Sequence, residues 1–456
     1  MPKSNVRSLA HDILIRVEKS GSFSHLLLAN VIKKENLAIN DERLLTEIVY
    51  GTIERQITLD YYVSSFIQSK KRIEDWVKVL LRMSIYQLYF LEKVPEYAII
   101  NEAVNIAKRK GHKGIGSFVN GVLRSILRKG VPNVNDIKDP IDKLSIQTSH
   151  PKWLVERWVD YYGYDVTEQM CQKNLTRKPI AIRVNSLKTT RDEIKKQLGN
   201  KGMIGSNPFK ILKHGIIIEA GNIFKTKLIQ DGFVTIQDQS SMLAAQSLQV
   251  EPNMKVLDAC SAPGGKATYL GELMQNKGSI FAYDLHKNKM NLIKHNAERL
   301  GITNIHVGQH DARKLQEVHE KNYFDRILVD APCSGLGVIR TKPDIKYNKR
   351  VNDIENLQQV QLDILFHVAP LLKKGGKLIY CTCTVERMEN EEVVKKFLDR
   401  QDTLQVDKQF LTEAKSLQLE NVVISKYGLQ LFPQSMDSDG FFITRFTNFT
   451  EDEEVN

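Results

Sequence analysis

Three rhythms of apolar and polar positions follow one another along the chain. From residue 6 to about 130, apolar residues recur at helical spacing. Ile73, Trp76, Val77, Leu80, Leu81 and Leu88, with the small Ser84, share one face and have charges between them. Pro95 ends that pattern and residues 99–107 restart it. Residues 111–116, with Gly111, Gly114 and Gly116, interrupt it again before 118–127. Short breaks between periodic segments predict an antiparallel helical bundle over 1–130. Residues 131–140 hold two prolines, two asparagines and two aspartates and read as a linker. Connector helices around Trp153 and Trp158 are expected to fill the rest of 131–178.

The second rhythm covers 179–236. Residues 180–185, 216–219 and 233–236 are strand-like, and 190–198 is helix-like, which predicts a small α+β module. Its few aromatic residues offer no evident platform for stacking bases. The third rhythm runs from 237 to 448. Short apolar runs at 254–259, 279–283, 305–308, 325–329 and 377–380 alternate with helical stretches at 266–275, 287–300 and 352–372. That alternation predicts a parallel sheet with helices on both faces. Residues 441–446 read as a closing strand, and 449–456 as a disordered acidic tail.

Charge adds a partner to this picture. The net charge is +11. Residues 1–130 carry 21 Lys and Arg against 13 Asp and Glu, so most of the excess sits in the helical part. A polyanionic partner is one reading and a plain solvated surface the other. The cluster Lys108-Arg109-Lys110-Gly111-His112-Lys113 falls in a break between helices, where it could meet phosphates or only water. No apolar run reaches the roughly 18 residues of a membrane span, and the N-terminal residues lack a signal-peptide core. Five cysteines without an even framework suit reduced thiols in the cytoplasm.

The carboxyl ends of the five predicted parallel strands are where such sheets hold ligands. They read Asp258-Ala259-Cys260-Ser261-Ala262-Pro263-Gly264-Gly265-Lys266, then Tyr283-Asp284, His310-Asp311, Asp330-Ala331-Pro332-Cys333-Ser334-Gly335 and Thr382-Cys383-Thr384. Every one carries an acid or a thiol. The glycine turn fails as a phosphate loop, because Cys260 stands where the first glycine belongs and Ala267 where the Ser or Thr belongs. The dinucleotide fingerprint is absent as well. A Pro-Gly-Gly turn still lets a ligand come close to the backbone. Asp284, 26 residues past Asp258, stands where a second-strand acid meets ribose hydroxyls. An acid there without a phosphate loop points to a nucleoside lacking pyrophosphate, and S-adenosylmethionine fits that description.

The last strand end is the most suggestive. Residues 379–385 follow the basic glycine turn 373–377 and precede the polar run 386–392, so a buried strand is expected to end in a reactive loop with a helix beyond. Of its two thiols, Cys381 is expected to face the other side of its strand and to be inert, as is Cys171. His306 and His310 are four apart in a strand-to-loop region, and no spacing matches a zinc site. Arg340 and Lys342 could steady phosphate or simply face solvent.

Two segments also resemble known families. The strings 94–104 and 118–124 resemble the NusB family of helical RNA-binding domains, which implies RNA binding and supplies no catalytic group. The Ala262-Pro263-Gly264-Gly265-Lys266 loop, Pro332-Cys333-Ser334 and Thr382-Cys383-Thr384, in that order, resemble the RNA cytosine-5 methyltransferase family. With the helical domain in front, the resemblance is to its bacterial members acting on 16S ribosomal RNA, and it runs to about residue 448. The family more often has alanine at Ser261 and serine at Thr384. The resemblance implies a multidomain chain: a NusB-like all-α bundle, a small RRM-like α+β module, and a Rossmann-like α/β methyltransferase domain. It implies that Cys260, Ser261, Ala262, Pro263, Gly264, Gly265, Lys266, Asp284, Asp311 and Asp330 bind S-adenosyl-L-methionine. Cys383 is then the nucleophile, Cys333 assists product release, and Asp330 contacts the base at N3. RNA is the expected partner of a monomer, with no metal and no membrane. Three other readings stay open: a DNA cytosine-5 enzyme attacking through Cys333, an amino-group methyltransferase, and a catalytically dead RNA-binding scaffold.

Overall fold

The computed structural model describes residues 5–20, 24–67, 73–208 and 211–448. The expected acidic tail lies outside the described residues. The chain divides into two compact units. One comprises residues 1–176 with 339–348, the other 177–338 with 349–456.

The first unit is helical. Helices α1 (Val6–Ser20), α2 (Ser24–Glu35), α3 (Ile39–Glu54), α4 (Gln56–Ser64), α5 (Asp75–Phe90), α6 (Glu96–Lys110) and α7 (Lys113–Lys129) form the bundle. The residues expected to share the buried face of α5 do so. Val77, Leu80, Leu81 and Ser84 are buried, and Ile73, Trp76 and Leu88 are half-buried. Residues Arg82, Met83, Ile85, Tyr86 and Gln87 are buried too, so α5 is enclosed on nearly all sides. A helix surrounded this way must satisfy its polar groups internally. The Arg82 guanidinium donates to both carboxylate oxygens of Asp60, at 2.5 and 2.9 Å, and to Glu18 at 3.0 Å. One expectation changes here. The break between α6 and α7 is only Gly111 and His112, and Gly114 and Gly116 lie within α7. Lys108, Arg109 and Lys110 form the last turn of α6, where cations suit the helix dipole, and are not a loop. The linker 131–140 holds one 3-10 turn, and α8 (Pro140–Thr148), α9 (Lys152–Tyr162) and α10 (Tyr164–Lys173) follow.

Residues 339–348 belong to this unit although they follow the 330–335 loop in sequence. Asp344 accepts from Ser24 Oγ at 2.6 Å, and Lys346 Nζ donates to the Glu54 carbonyl at 2.9 Å. Arg340 donates to Thr176 and so is engaged within the unit.

The second unit has two sheets. Strands β1 (Ile180–Val184), β2 (Ile204–Ser206), β3 (Gly215–Ala220) and β4 (Val234–Ile236) form an antiparallel sheet in the order β2-β3-β1-β4. Helix α11 (Arg191–Gly199) covers it through Ile194 and Leu198. This is the expected α+β module with one additional short strand. Helix α12 (Gln239–Ser247) leads into the larger sheet. Its strands are β5 (Lys255–Asp258), β6 (Ser279–Asp284), β7 (Ile305–Gln309), β8 (Phe324–Asp330), β9 (Leu372–Thr382), β10 (Leu404–Val406), β11 (Val422–Ser425), β12 (Gly428–Leu431) and β13 (Phe441–Asn448). Their order is β11-β12-β13-β9-β8-β5-β6-β7, with β10 beside β13.

The five strands from β9 to β7 pair in parallel, as expected from their apolar runs. The closing strand β13 runs antiparallel to β9, and β10, β11 and β12 continue in the antiparallel sense. The sheet is therefore mixed and not wholly parallel. From β5 the chain winds outward through β6 to β7, then returns to β8 on the other side of β5. The switch point thus lies between β5 and β8, the place where open α/β sheets leave a crevice at their carboxyl ends.

Candidate active site

Two loops meet at this switch point. The first leaves β5 at Asp258. Its backbone is pinned at Ser261, whose N–H donates to the Tyr283 carbonyl at 2.7 Å, and at Gly264, whose N–H donates to the Ser261 carbonyl at 2.6 Å. The Ala262–Pro263 peptide is cis. Gly264 has φ +93°, and a Cβ there would stand 3.1–3.2 Å from Ile293. Both facts favour glycine at the position. Helix α13 (Gly265–Leu273) then starts without a side-chain cap.

Carboxylates gather about this loop. The Cys260 thiol is pushed well above its ordinary range by burial first, then by the charges of Asp258, Asp330, Asp284 and Asp311. Four strand-end acids therefore converge on one residue, and they hold its thiol protonated and unreactive. Asp284 is buried and accepts from the His286 N–H at 3.0 Å. Asp311 is held low by its hydrogen bonds with Arg313, so its carboxylate is engaged. Asp258 is pushed up to about 7 by burial and by the Asp330 charge.

The second loop leaves β8 at Asp330 and lies against the end of β9. The Sγ atoms of Cys333 and Cys383 stand 3.4 Å apart. Close approach of these segments depends on Gly337. Its N–H donates to the Cys383 carbonyl at 3.0 Å, and a Cβ there would meet the Gly440 carbonyl at 1.9 Å. The Cys333 thiol is raised well above its ordinary range, by the hydrogen bond with Cys383 first and by burial next. The two thiols share this one hydrogen bond, and either sulfur can donate it. Asp330 is gripped on both sides. Lys266 Nζ donates to its Oδ2 at 2.7 Å, and the Cys381 thiol lies 3.6 Å from its Oδ1.

One expectation needs correcting. Cys381 does not face away from Cys383. The two are two residues apart, so the period of a strand puts them on one side, and both pack into the same apolar cluster. Parallel register also sets Cys381 opposite Asp330 across β8 and β9. Lys266 is the ion-pair partner of Asp330.

The pattern of strand ends did not reveal the buried polar groups behind the thiols. Glu386, Glu389 and Asn390 are fully buried. They come from the run read only as polar. A clue lay in the sequence, because a dense acidic stretch directly after an apolar strand end leaves little chain for reaching solvent.

Among the described residues, no group of three His, Cys, Asp or Glu side chains converges as a metal site. His306 instead packs against Phe281, and His310 against Tyr283. No helix among the described residues is long and apolar enough to cross a membrane.

The family model for the 16S rRNA methyltransferase RsmB/F matches residues 245–447. The NusB family model matches 4–128, and a ferredoxin-like domain of RsmF/B-like methyltransferases matches 150–223. Among solved structures, that of PH0851 superposes with a TM-score of 0.80 at 25% identity, covering 98% of this chain and 99% of that one. A methyltransferase homolog protein from Pyrococcus horikoshii gives a TM-score of 0.60 at 28% identity, over 69% of this chain and all of that one. The probable ribosomal RNA small subunit methyltransferase B of Synechocystis sp. (strain ATCC 27184 / PCC 6803 / Kazusa) is 31% identical over 96% of this chain and 98% of its own. Its counterpart in Bacillus subtilis (strain 168) is 46% identical over 97% of this chain and 98% of its own. With likeness of that extent running through the helical bundle, the small module and the thiol-bearing sheet, the chain belongs to the ribosomal RNA small subunit methyltransferase B family.

Proposed function

We propose that this protein methylates carbon 5 of a cytosine in 16S ribosomal RNA, using S-adenosyl-L-methionine and a covalent link between Cys383 and the base. The contact of the Cys333 and Cys383 sulfurs at 3.4 Å, within reach of the Asp330 charge, carries the reading. Carbon 5 of cytosine is a weak nucleophile. Addition of a thiolate to carbon 6 turns the ring into an enamine, which splits one hard step into two easier ones. A thiolate is the active form, so Cys383 gives up its proton before it adds. Asp330 faces the base at N3, where charge builds up as the thiol adds. After transfer the carbon 5 proton leaves, and Cys383 is expelled as a thiolate, again beside the Cys333 thiol.

The other end of the crevice fits the methyl donor. Four acids and an uncapped helix start surround Cys260. Such a set suits a ligand with hydroxyls, a cation and a carboxylate. When bound, S-adenosyl-L-methionine supplies an electrophilic methyl group. Residues 260–266 would hold it through their backbone, with Asp284, Asp311 and Asp330 around it. RNA is the substrate we infer for a cytoplasmic monomer, with the NusB-like bundle binding RNA, and no metal takes part in the reaction as drawn.

Substitution of the two thiols tests this. Cys383→Ala is expected to abolish both 5-methylcytosine in the RNA and any denaturant-stable protein–RNA adduct. Cys333→Ala is expected to form the adduct and release it slowly. If Cys333→Ala loses the adduct while Cys383→Ala keeps it, the two roles are exchanged and the reading is wrong.

A further inference from the structure

Behind the thiol pair lies a buried polar layer that the reaction as drawn does not use. Glu389 and Asn390 are adjacent in sequence, just before helix α14 (Glu391–Leu398), and each grips a different thiol loop. Glu389 Oε1 accepts from the Ser334 N–H at 2.8 Å and from Gln361 Nε2 at 3.0 Å. Its Oε2 accepts from the Ser334 hydroxyl. Gln361 Nε2 also donates to the Pro332 carbonyl at 2.9 Å. The residues on both sides of Cys333 are thereby tied, directly or through Gln361, to one carboxylate.

Asn390 does the same for Cys383. Its Nδ2 donates to the Thr384 carbonyl at 3.1 Å and to Gln430 Oε1 at 2.7 Å, and its Oδ1 accepts from the Thr382 hydroxyl. The Ser334 and Thr384 hydroxyls, 2.8 Å apart, close the ring between the two grips. A buried carboxylate whose hydrogen-bond donors are neutral is costly to keep for stability alone. Burial indeed pushes Glu389 up, against the pull of Ser334 and Gln361. Function offers a reason to retain it. Displacement of a reacting group by about 1 Å can cost about 10²-fold in rate.

We propose that Glu389 and Asn390 are positioning residues that set the separation of the Cys333 and Cys383 sulfurs. This rests on the roles given to the two thiols above. In the release step, the carbon 5 proton goes to a solvent base and its bonding pair forms the C5–C6 double bond. The C6–S bond breaks and its pair stays on Cys383 Sγ as a thiolate. The Cys333 S–H meets that thiolate only while both loops are held. Glu389 therefore acts on release through Cys333, and not on addition.

The full chain with Glu389→Ala, Glu389→Gln, Asn390→Ala and Cys333→Ala tests this, using small-subunit ribosomal RNA and labelled S-adenosyl-L-methionine. Glu389→Ala is expected to slow multiple-turnover methylation by about 10²-fold and to accumulate the denaturant-stable adduct, as Cys333→Ala does. Its rate of adduct formation and KM for the methyl donor should stay within about threefold of wild type. Glu389→Gln can still accept from the Ser334 N–H and Gln361, and its amide can donate to the Ser334 hydroxyl, so turnover is expected to recover to within about tenfold of wild type.

A second readout needs no RNA. The oxidant diamide should couple Cys333 to Cys383 in the wild-type chain, and about tenfold more slowly in Asn390→Ala. Wild-type turnover in Glu389→Ala, or equal loss of adduct formation and release, overturns the positioning role. So does unchanged diamide coupling in Asn390→Ala. If Cys333→Ala itself gives no adduct, the thiol chemistry is what falls, and the coupling rates still decide the positioning.

Discussion

Two ion pairs in the second unit have almost the same length and opposite surroundings. Arg183 Nη2 meets Glu272 Oε1 at 2.8 Å, and Lys266 Nζ meets Asp330 Oδ2 at 2.7 Å. Both side chains of the first pair are wholly shielded from solvent, whereas those of the second are 10% and 30% exposed. Arg183 is further enclosed by the Gly265 carbonyl at 2.7 Å, the Thr268 hydroxyl at 3.1 Å, the Gln237 carbonyl oxygen and the face of Tyr269. It ties β1 of the small sheet to helix α13. Lys266 has one carboxylate, with Phe441 alongside, and its partner is partly open to solvent and meets the Cys381 thiol. Distance therefore does not tell a strut from a working pair. What tells them apart is whether an abandoned partner could find water.

That difference is sharpest on deletion. Arg183→Met strands Glu272 with no route to solvent, and burial already pushes that carboxyl up. Urea or thermal unfolding is expected to show a loss of about 3–5 kcal/mol. Replacing both partners by apolar residues is expected to recover most of it, because no buried charge is then left alone. A single variant as stable as wild type would mean that the pair is not the strut described.

Lys266→Met leaves Asp330 able to take up water. Its unfolding free energy is expected to change by about 1 kcal/mol. Methyl transfer to RNA in single-turnover assays should instead fall about 10²–10³-fold, the usual cost of removing one charge-stabilising group from a reacting centre. A stability loss equal to that of Arg183→Met, with activity per folded molecule preserved, would move Lys266 into the class of struts.

The same contrast explains what could be read in the sequence. Strands β5, β8 and β9 were legible because a strand buried on both faces is a short apolar run with no competing period, and β6 and β7 because helical stretches alternate with them. Strands β11 and β12 were not, since they are a short antiparallel pair of four residues each with no helical stretch between them to mark the alternation. Individual site residues were legible at strand ends, where topology alone puts Asp258, Asp284, Asp311, Asp330, Cys333 and Cys383 in one crevice. Partnerships were not. That Lys266 serves Asp330, or that Arg183 serves Glu272 across 89 positions, depends on side-chain reach after the strands are in register. The reading of Cys381 failed for a plainer reason, since a separation of two residues keeps the same face of a strand.

Asp258 marks the limit of the comparison, as an acid at the same crevice with no cation of its own. Lys266 is bonded to Asp330, and the Asp330 charge helps raise Asp258 to about 7. In the unfolded chain an aspartate gives up its proton near its ordinary value of about 3.9. Between these two values the folded protein binds the proton and the unfolded chain does not. Stability must then fall as pH rises through that window, and flatten above about 7. This is the reverse of a carboxylate held low by a partner. The slope from this one group is at most about 1.4 kcal/mol per pH unit. Asp258→Asn should remove it, so that the difference in unfolding free energy between variant and wild type grows in the variant's favour from pH 4 to pH 7. A difference that stays constant across that range would mean that Asp258 is ionised in the folded protein, and that Lys266 serves both acids.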